Sequence, residues 1–458
     1  MKIIDKKTIL FTIEIKNREL SSKCLLALEC AKRGMRTYIG TFEAIENLRY
    51  KISSSIFFHK STTFRNVPNH KKYYGATTVF LDEEAGFAIP RPKIEAYCKI
   101  RYKTVNPEHY RHIFVIGNKY YKYINSMNNC HGVNVHACGW PRIDLWRESF
   151  NSVYLDKAEE IKREYGKFYL FISSFGATSA KGFNERDSFL KDKNYSAVID
   201  INDERRRAFF EHVELIKRIS EHLKSDEIVI IRPHASEKIK AWAKIFKQYG
   251  NVKVIHEGDV TPWLLASNAL INYNSTVGVQ AALNGIPSII YNAPLTNHVT
   301  DTPVFDISEH AKTVEEVLDF FERNKNIDPN IIKEKVFELI RDDVSSLEGE
   351  TASSKIAAIL SAIEVEKVPP ILITKNERIR HLIYYYKGFT KFLLNRSNLF
   401  KKASEIKQQT YEKVPGGITK TEISSMLNKL APIVGVYQSD IICEQVSKNL
   451  VTIELKSL

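Results

Sequence analysis

The chain has 458 residues, 43% hydrophobic and 26% charged, with 67 Lys and Arg against 54 Asp and Glu for a formal net charge of +13. That length suggests two or three domains of roughly 100–200 residues each, and the balance is that of a globular protein with a sizeable core. A basic surplus attracts anionic substrates, anionic lipid or nucleic acid; the absence of an arginine-rich arm, an RNP-like aromatic motif or zinc-finger spacing removes nucleic acid from the expected partners.

The amino terminus runs directly into a strand pattern, without the apolar core and cleavage site of a signal peptide. No stretch reaches the roughly 18–20 uninterrupted apolar residues of a membrane span. Six cysteines, at 24, 30, 98, 130, 138 and 443, form no CxxC pair, and the group Cys130, His131, His136 and Cys138 lacks a familiar zinc spacing. Reduced core cysteines of a cytosolic protein are the expectation, with no bound metal.

Residues 8–150 alternate strand-like and helix-like segments. Thr8–Ile13 is a short β-rich run. Apolar positions Leu20, Cys24, Leu25, Leu28 and Ala31 give helical periodicity over 19–33, which Gly34 stops. Residues 37–40, 76–81 and 112–116 read as further strands, each closed by polar or glycine residues, as at one edge of a parallel sheet.

A second α/β run starts near 155. It comprises a helix over 157–165, a strand over 168–172, a long polar loop over 174–200, a helix over 203–223 and a strand over 227–231. A helix from 237, a strand over 252–255, a helix over 261–266 and a strand over 269–272 follow. A short helix near 277–283 and helices over 314–324 and 329–342 close the domain. Long loops inside compact domains often serve function.

From about 366 the character changes. Pro369 and Pro370 mark a break, and 378–401 is basic and aromatic. Arg378, Arg380, Lys387, Lys391, Arg396, Lys401 and Lys402 alternate with apolar residues near helical spacing. Such a stripe suits either packing on a preceding domain or contact with an anionic membrane surface. A turn at 413–419 and a helix over 421–430 follow. The expected organisation is a Rossmann-like domain over 1–150, a second over 151–365 and a helical basic extension over 366–458.

Four loops could carry chemistry. Asp82, Glu83 and Glu84 follow the 76–81 strand, where three carboxylates would repel and raise one another's pKa, suiting a base or nucleophile. Arg232 and His234 flank Pro233 after the 227–231 strand and could hold a diphosphate. Ser173, Ser174 and Gly176 follow the 168–172 strand and could bring backbone N–H groups to a ligand. Asn272 to Gly285 reads as strand end, polar turn and helix, so Ser275 and Thr276 stand at a helix N-terminus where phosphates bind. Capping is the plainer role for these hydroxyls.

The ordered set of Glu14 to Leu20, the helix ending at Gly34, Asp82 to Phe87, Gly139 to Asp144, Arg232 to Glu237 and Asn274 to Pro287 resembles bacterial surface-carbohydrate biosynthesis proteins over about 8–365. That group is related to GT-B glycosyltransferases that move ulosonic acids of the Kdo or pseudaminic type from CMP donors onto surface glycans of capsule or lipopolysaccharide. The resemblance implies two doubly wound domains facing a cleft. It implies a carboxylate nucleophile at Glu83 or Glu84, the family's Glu-Asp-Gly-Phe motif being replaced here by a sequence with an inserted Ala85. It implies nucleotide contacts from His234, in a Pro-His order opposite to the family's, and from Gln280 where many such enzymes place a ribose-binding Glu. Glu14, Arg18, Glu19 and Arg142 would serve the glycan or lipid-linked acceptor. No metal would be needed, because helix dipole and basic residues neutralise the leaving phosphate. A CDP-alcohol phosphotransferase of teichoic-acid type and a non-catalytic glycan- or membrane-binding protein are the competing readings. The expected place is the cytoplasm, peripheral at the inner face of the plasma membrane.

Overall fold

The computed structural model describes residues 6–46, 48, 52, 55–60, 77–83, 86–87, 89–175, 201–234, 237, 239–292, 300–365 and 413–456, with backbone alone for 46 and 201–206. It is α/β, with two sheets in two compact units. One unit comprises 1–83, 98–144 and 348–458; the other comprises 84–97 and 145–347.

In the first unit, β1 (Thr8–Ile13), β2 (Arg36–Thr41), β3 (Ser55–His59), β4 (Thr77–Leu81), β5 (Tyr110–Val115) and β6 (Asn134–Ala137) pair in parallel in the order β2-β1-β3-β4-β5-β6. All residues of β1 and β3 are buried, so these strands read as apolar runs covered on both faces. Gly34, at φ +76°, ends the Lys16–Lys32 helix: its N–H donates to Ala31 O, and the Met35 N–H donates to Cys30 O. Only glycine takes that left-handed turn without strain.

The order reverses between β1 and β3. Such a switch point is where an open α/β sheet offers a ligand crevice at its carboxyl edge.

The extension over 366–458 is corrected in its last part. Lys420–Leu430 is helical as expected, but Ile441–Ser447 and Leu450–Leu455 form an antiparallel hairpin, β13–β14. β14 adds antiparallel to β2, with Val451 opposite Ile39. Leu450, Val451 and Ile453 are buried there, and each such side chain contributes roughly 1.5–3 kcal/mol on leaving water. The basic aromatic segment over 378–401 lies outside the described residues.

The second unit holds β7 (Lys167–Ile172), β8 (Glu227–Arg232), β9 (Val252–Val254), β10 (Ala269–Asn272), β11 (Ser288–Tyr291) and β12 (Glu309–Ala311). All pair in parallel, in the order β12-β11-β10-β7-β8-β9. Tyr169 and Phe171 face one apolar cluster, and Phe168, Leu170 and Ile172 face the other. Both faces are therefore covered, as in a doubly wound sheet. This is the strand order of dinucleotide-binding domains, and its reversal lies between β7 and β10.

Candidate functional site

In the first unit, the residues expected at Glu14, Arg18, Glu19, Glu83 and Arg142 do come together. Glu14 follows β1 directly. Its carboxylate pairs with Lys60, just past β3, and with Lys413 at 2.7 Å, from the turn that leads to the Lys420–Leu430 helix. Glu19, in the first turn of the helix after β1, reaches back to the Glu14 N–H at 2.9 Å and pairs with Lys60 at 3.0 Å and Arg18 at 3.3 Å. Lys16 binds the same turn, donating to Pro415 O and Gly417 O and pairing with Glu422.

Electrostatics follow from this density of cations. Burial alone would raise the Glu14 carboxyl, but Lys413 and Lys60 pull it down to about 2. Burial likewise opposes ionisation of Glu83, and Lys23, Arg142 and Arg18 outweigh it, leaving that carboxyl below the usual range.

The expectation that clustered carboxylates raise one another is thereby corrected for Glu83. Asp82 and Glu83 point to different partners. Asp82, 1% exposed, accepts from the Tyr102 hydroxyl at 2.8 Å and from Arg101 at 3.2 Å. Glu83 pairs with Lys23 at 3.2 Å. Arg142 lies over the Trp140 ring at 5.2 Å. Glu84 lies outside the described residues.

Lys23, Lys60 and Lys413 were not singled out from sequence. For Lys23 a signal exists: it stands three residues after Leu20 and four before Ala27, on the apolar face of its helix, where a lysine needs an anion.

In the second unit, Ser173 and Ser174 follow β7 and Ser275 and Thr276 follow β10 at the switch point, while Arg232 and His234 follow the neighbouring β8, and several of these residues are engaged within the protein. Ser173, 1% exposed, donates to Glu237 at 2.7 Å and accepts from the His234 N–H at 3.0 Å. Glu237 also accepts from the Phe175 N–H and from Trp242 Nε1, both at 2.8 Å. This buried carboxylate, missed in the sequence, ties the β7 loop to the β8 loop.

Arg232 donates to Glu257 O and Gly258 O, both at 2.9 Å, and lies 5.0 Å over the Trp263 ring. Burial pushes its guanidinium down to about 10, against Asp259 and Glu257. Gln280, 3% exposed, donates to Thr261 Oγ1 at 2.8 Å. His234 is exposed, and Ser174 is partly so. Gly176 lies outside the described residues.

After β10, buried Asn272 accepts the Ser275 N–H at 2.9 Å and donates to Ser275 O. Asn274 takes φ +45°. Ser275 Oγ accepts the Val277 N–H at 3.4 Å, whereas Thr276 opens the Val277–Leu283 helix without a side-chain cap. A Cβ at Gly278 would stand 2.4 Å from Asn272 Nδ2, so glycine is what lets this turn close. Among the described residues no group of three or more His, Cys, Asp or Glu could hold a metal ion, and no helix is long and apolar enough to cross a membrane.

No protein-family model matches the chain, and no curated protein matches it. Among solved structures it is similar to a variant of the wall teichoic acid polymerase TagF soaked with CDPG, at 14% identity over 78% of this chain and 88% of that one, with a TM-score of 0.48. It is also similar to Methanocaldococcus jannaschii UDP-GlcNAc 2-epimerase in complex with UDP-GlcNAc and UDP, at 12% identity over 78% and 99%, TM-score 0.45. The S. aureus MnaA–UDP structure overlaps at 13% identity over 81% and 100%, TM-score 0.44.

Proposed function

We propose that the chain is a glycosyltransferase of GT-B type. It takes a nucleotide-activated sugar on its second unit, and the first unit supplies the acceptor-side charges and a carboxylate. The observation that carries this reading is the β7/β10 switch point, where Ser173 after β7 accepts the His234 N–H and the Asn272–Thr276 turn follows the neighbouring β10. Open α/β sheets bind nucleotides at such a place.

The motif resemblance supports a CMP-linked ulosonic acid as donor and a surface glycan, free or lipid-linked, as acceptor. Glu83 or Glu84 then acts as nucleophile or base, and transfer needs no metal ion. The basic segment over 378–401 holds the enzyme peripherally on anionic lipid at the cytoplasmic face.

The first test is protection against heat by CMP, CDP, UDP and GDP, since a ligand at 100 times its Kd adds about 2.7 kcal/mol. Cytidine nucleotides should protect best, and His234→Ala should weaken CMP binding by about 1–3 kcal/mol. Equal protection by UDP or GDP sinks the donor assignment. Product analysis then separates sugar transfer from CDP-alcohol phosphotransfer. Transfer that survives EDTA, and vesicle binding that needs anionic lipid and falls with salt, test the remaining parts.

A further inference from the structure

We propose that Lys23 is a positioning residue of the first unit's site: its ammonium group fixes the direction of the Glu83 carboxylate at the carboxyl end of β4. The chemistry served by that carboxylate rests on the glycosyl-transfer reading. The pairing itself does not.

Several observations bear on it. Lys23 and Glu83 side chains are 2% and 7% exposed, and their charged atoms stand 3.2 Å apart. Lys23 comes from the helix after β1, and Glu83 from the loop after β4, 60 residues later. The ammonium also lies 5.0 Å from the centroid of the Phe58 ring, on β3. Three elements thus define where the lysine points, and through it the carboxylate.

A buried lysine–glutamate pair is a poor stability device, because desolvation of both ions offsets their attraction and apolar residues would serve as well. What the pair provides is a carboxylate that stays charged away from water. Arg142 and Arg18 add to the same potential, while adjacent Asp82 is directed away to Arg101 and Tyr102. An ionised carboxylate held this way suits attack on, or stabilisation of, a cationic sugar centre. It is poorly suited to donating a proton.

The experiment uses the full chain as wild type, Lys23→Met, Lys23→Arg, Glu83→Gln and the double Lys23→Met/Glu83→Gln variant. Carboxyl-labelled glutamate is titrated by carbon-13 NMR, with the Glu83 signal identified by its loss in Glu83→Gln. In Lys23→Met the Glu83 proton affinity should rise by about tenfold or more, while Lys23→Arg stays near wild type. In transfer assays, Lys23→Met should lower kcat by about 100-fold with donor KM within about threefold, move the acid limb of the pH profile upward, and be rescued in part by arginine.

The double variant removes both charges and so keeps the fold testable where the single variant unfolds. It should be folded and inactive. An unmoved Glu83 titration in Lys23→Met overturns the proposal. So does a moved titration with wild-type kcat and pH profile, or an active double variant. Wild type that transfers no sugar from any nucleotide donor, with the titration shifted as expected, removes the glycosyl-transfer reading and leaves the pairing standing.

Discussion

At the carboxyl edge of the first sheet, Glu14, Glu19 and Glu83 meet Arg18, Lys23, Lys60 and Lys413 side chain to side chain. At that edge of the second sheet, Arg232 and Glu237 direct their hydrogen bonds to backbone carbonyls, a backbone N–H, Ser173 and Trp242. Both edges sit at a reversal of strand order, and both carry charged residues at the ends of central strands. In the first unit the charges form a field that reaches solvent through Glu14 and Lys413. In the second they build a scaffold that shapes loops. Charged residues at strand ends thus do either of two things here: they set up a field between side chains, or they brace the neighbouring loops.

The largest expected effect breaks the scaffold. Glu237→Ala leaves the Phe175 N–H, the Ser173 hydroxyl and the Trp242 indole N–H without their acceptor in a buried place. Each orphaned donor costs about 1–3 kcal/mol, so a total loss of at least about 3 kcal/mol is expected. Urea unfolding measures it, and hydrogen exchange should place the loss in β7 and β8. An unchanged midpoint would show that the hub is dispensable and the contrast between the edges unfounded.

A smaller effect separates scaffold from ligand contact at Arg232. Lysine has a single ammonium and cannot span Glu257 O and Gly258 O as the planar guanidinium does. Arg232→Lys should therefore cost about 1–3 kcal/mol of stability and change CMP affinity by less than about threefold, under 0.7 kcal/mol. Tenfold weaker CMP binding with intact stability would reverse the assignment and make the second edge resemble the first.

Much of this was legible in the sequence. Thr8–Ile13, Ala269–Asn272, Val277–Leu283 and Val314–Asn324 appear with the expected ends, because apolar runs there are bounded by residues that cap, turn or break. β3 and β6 were not foreseen. β3 has only Ile56, Phe57 and Phe58 between the polar Ser55 and His59, and β6 carries Asn134 and His136 at a sheet edge, which blurs its apolar pattern. The β13–β14 hairpin depends on β2, some 400 residues earlier, so no local periodicity announces where it docks.

The same limit applied to the sites. Glu14, Arg18, Glu19, Glu83 and Arg142 could be named one by one, but Lys60 and Lys413 join them only through the fold. Asp144 is the converse case. It belongs to the Gly139–Asp144 motif, yet its buried carboxylate accepts the Ala352 and Ser353 N–H groups at 2.8 Å and so caps the Ala352–Ala362 helix.

The smallest effect tests the field at the first edge through pH. The Glu14 carboxyl lies at about 2 in the folded chain against an ordinary 4.5. A depressed carboxyl contributes stability that is present above pH 4.5 and lost as pH falls toward 2. Glu83, also depressed, acts with the same sign. The two differ in exposure: the Glu14 side chain is 46% exposed and that of Glu83 is 7% exposed. Solvent and salt screen the first and hardly reach the second. Between pH 6 and pH 3, wild type should therefore lose more stability than Glu14→Gln by only a few tenths of a kcal/mol at low ionic strength. That difference should vanish near 1 M salt, where the screening length is about 3 Å. The corresponding difference for Glu83→Gln should persist. Equal salt sensitivity for both carboxylates would mean that Glu83 is wetter than its surroundings imply, and that the first edge is an ordinary solvated cluster.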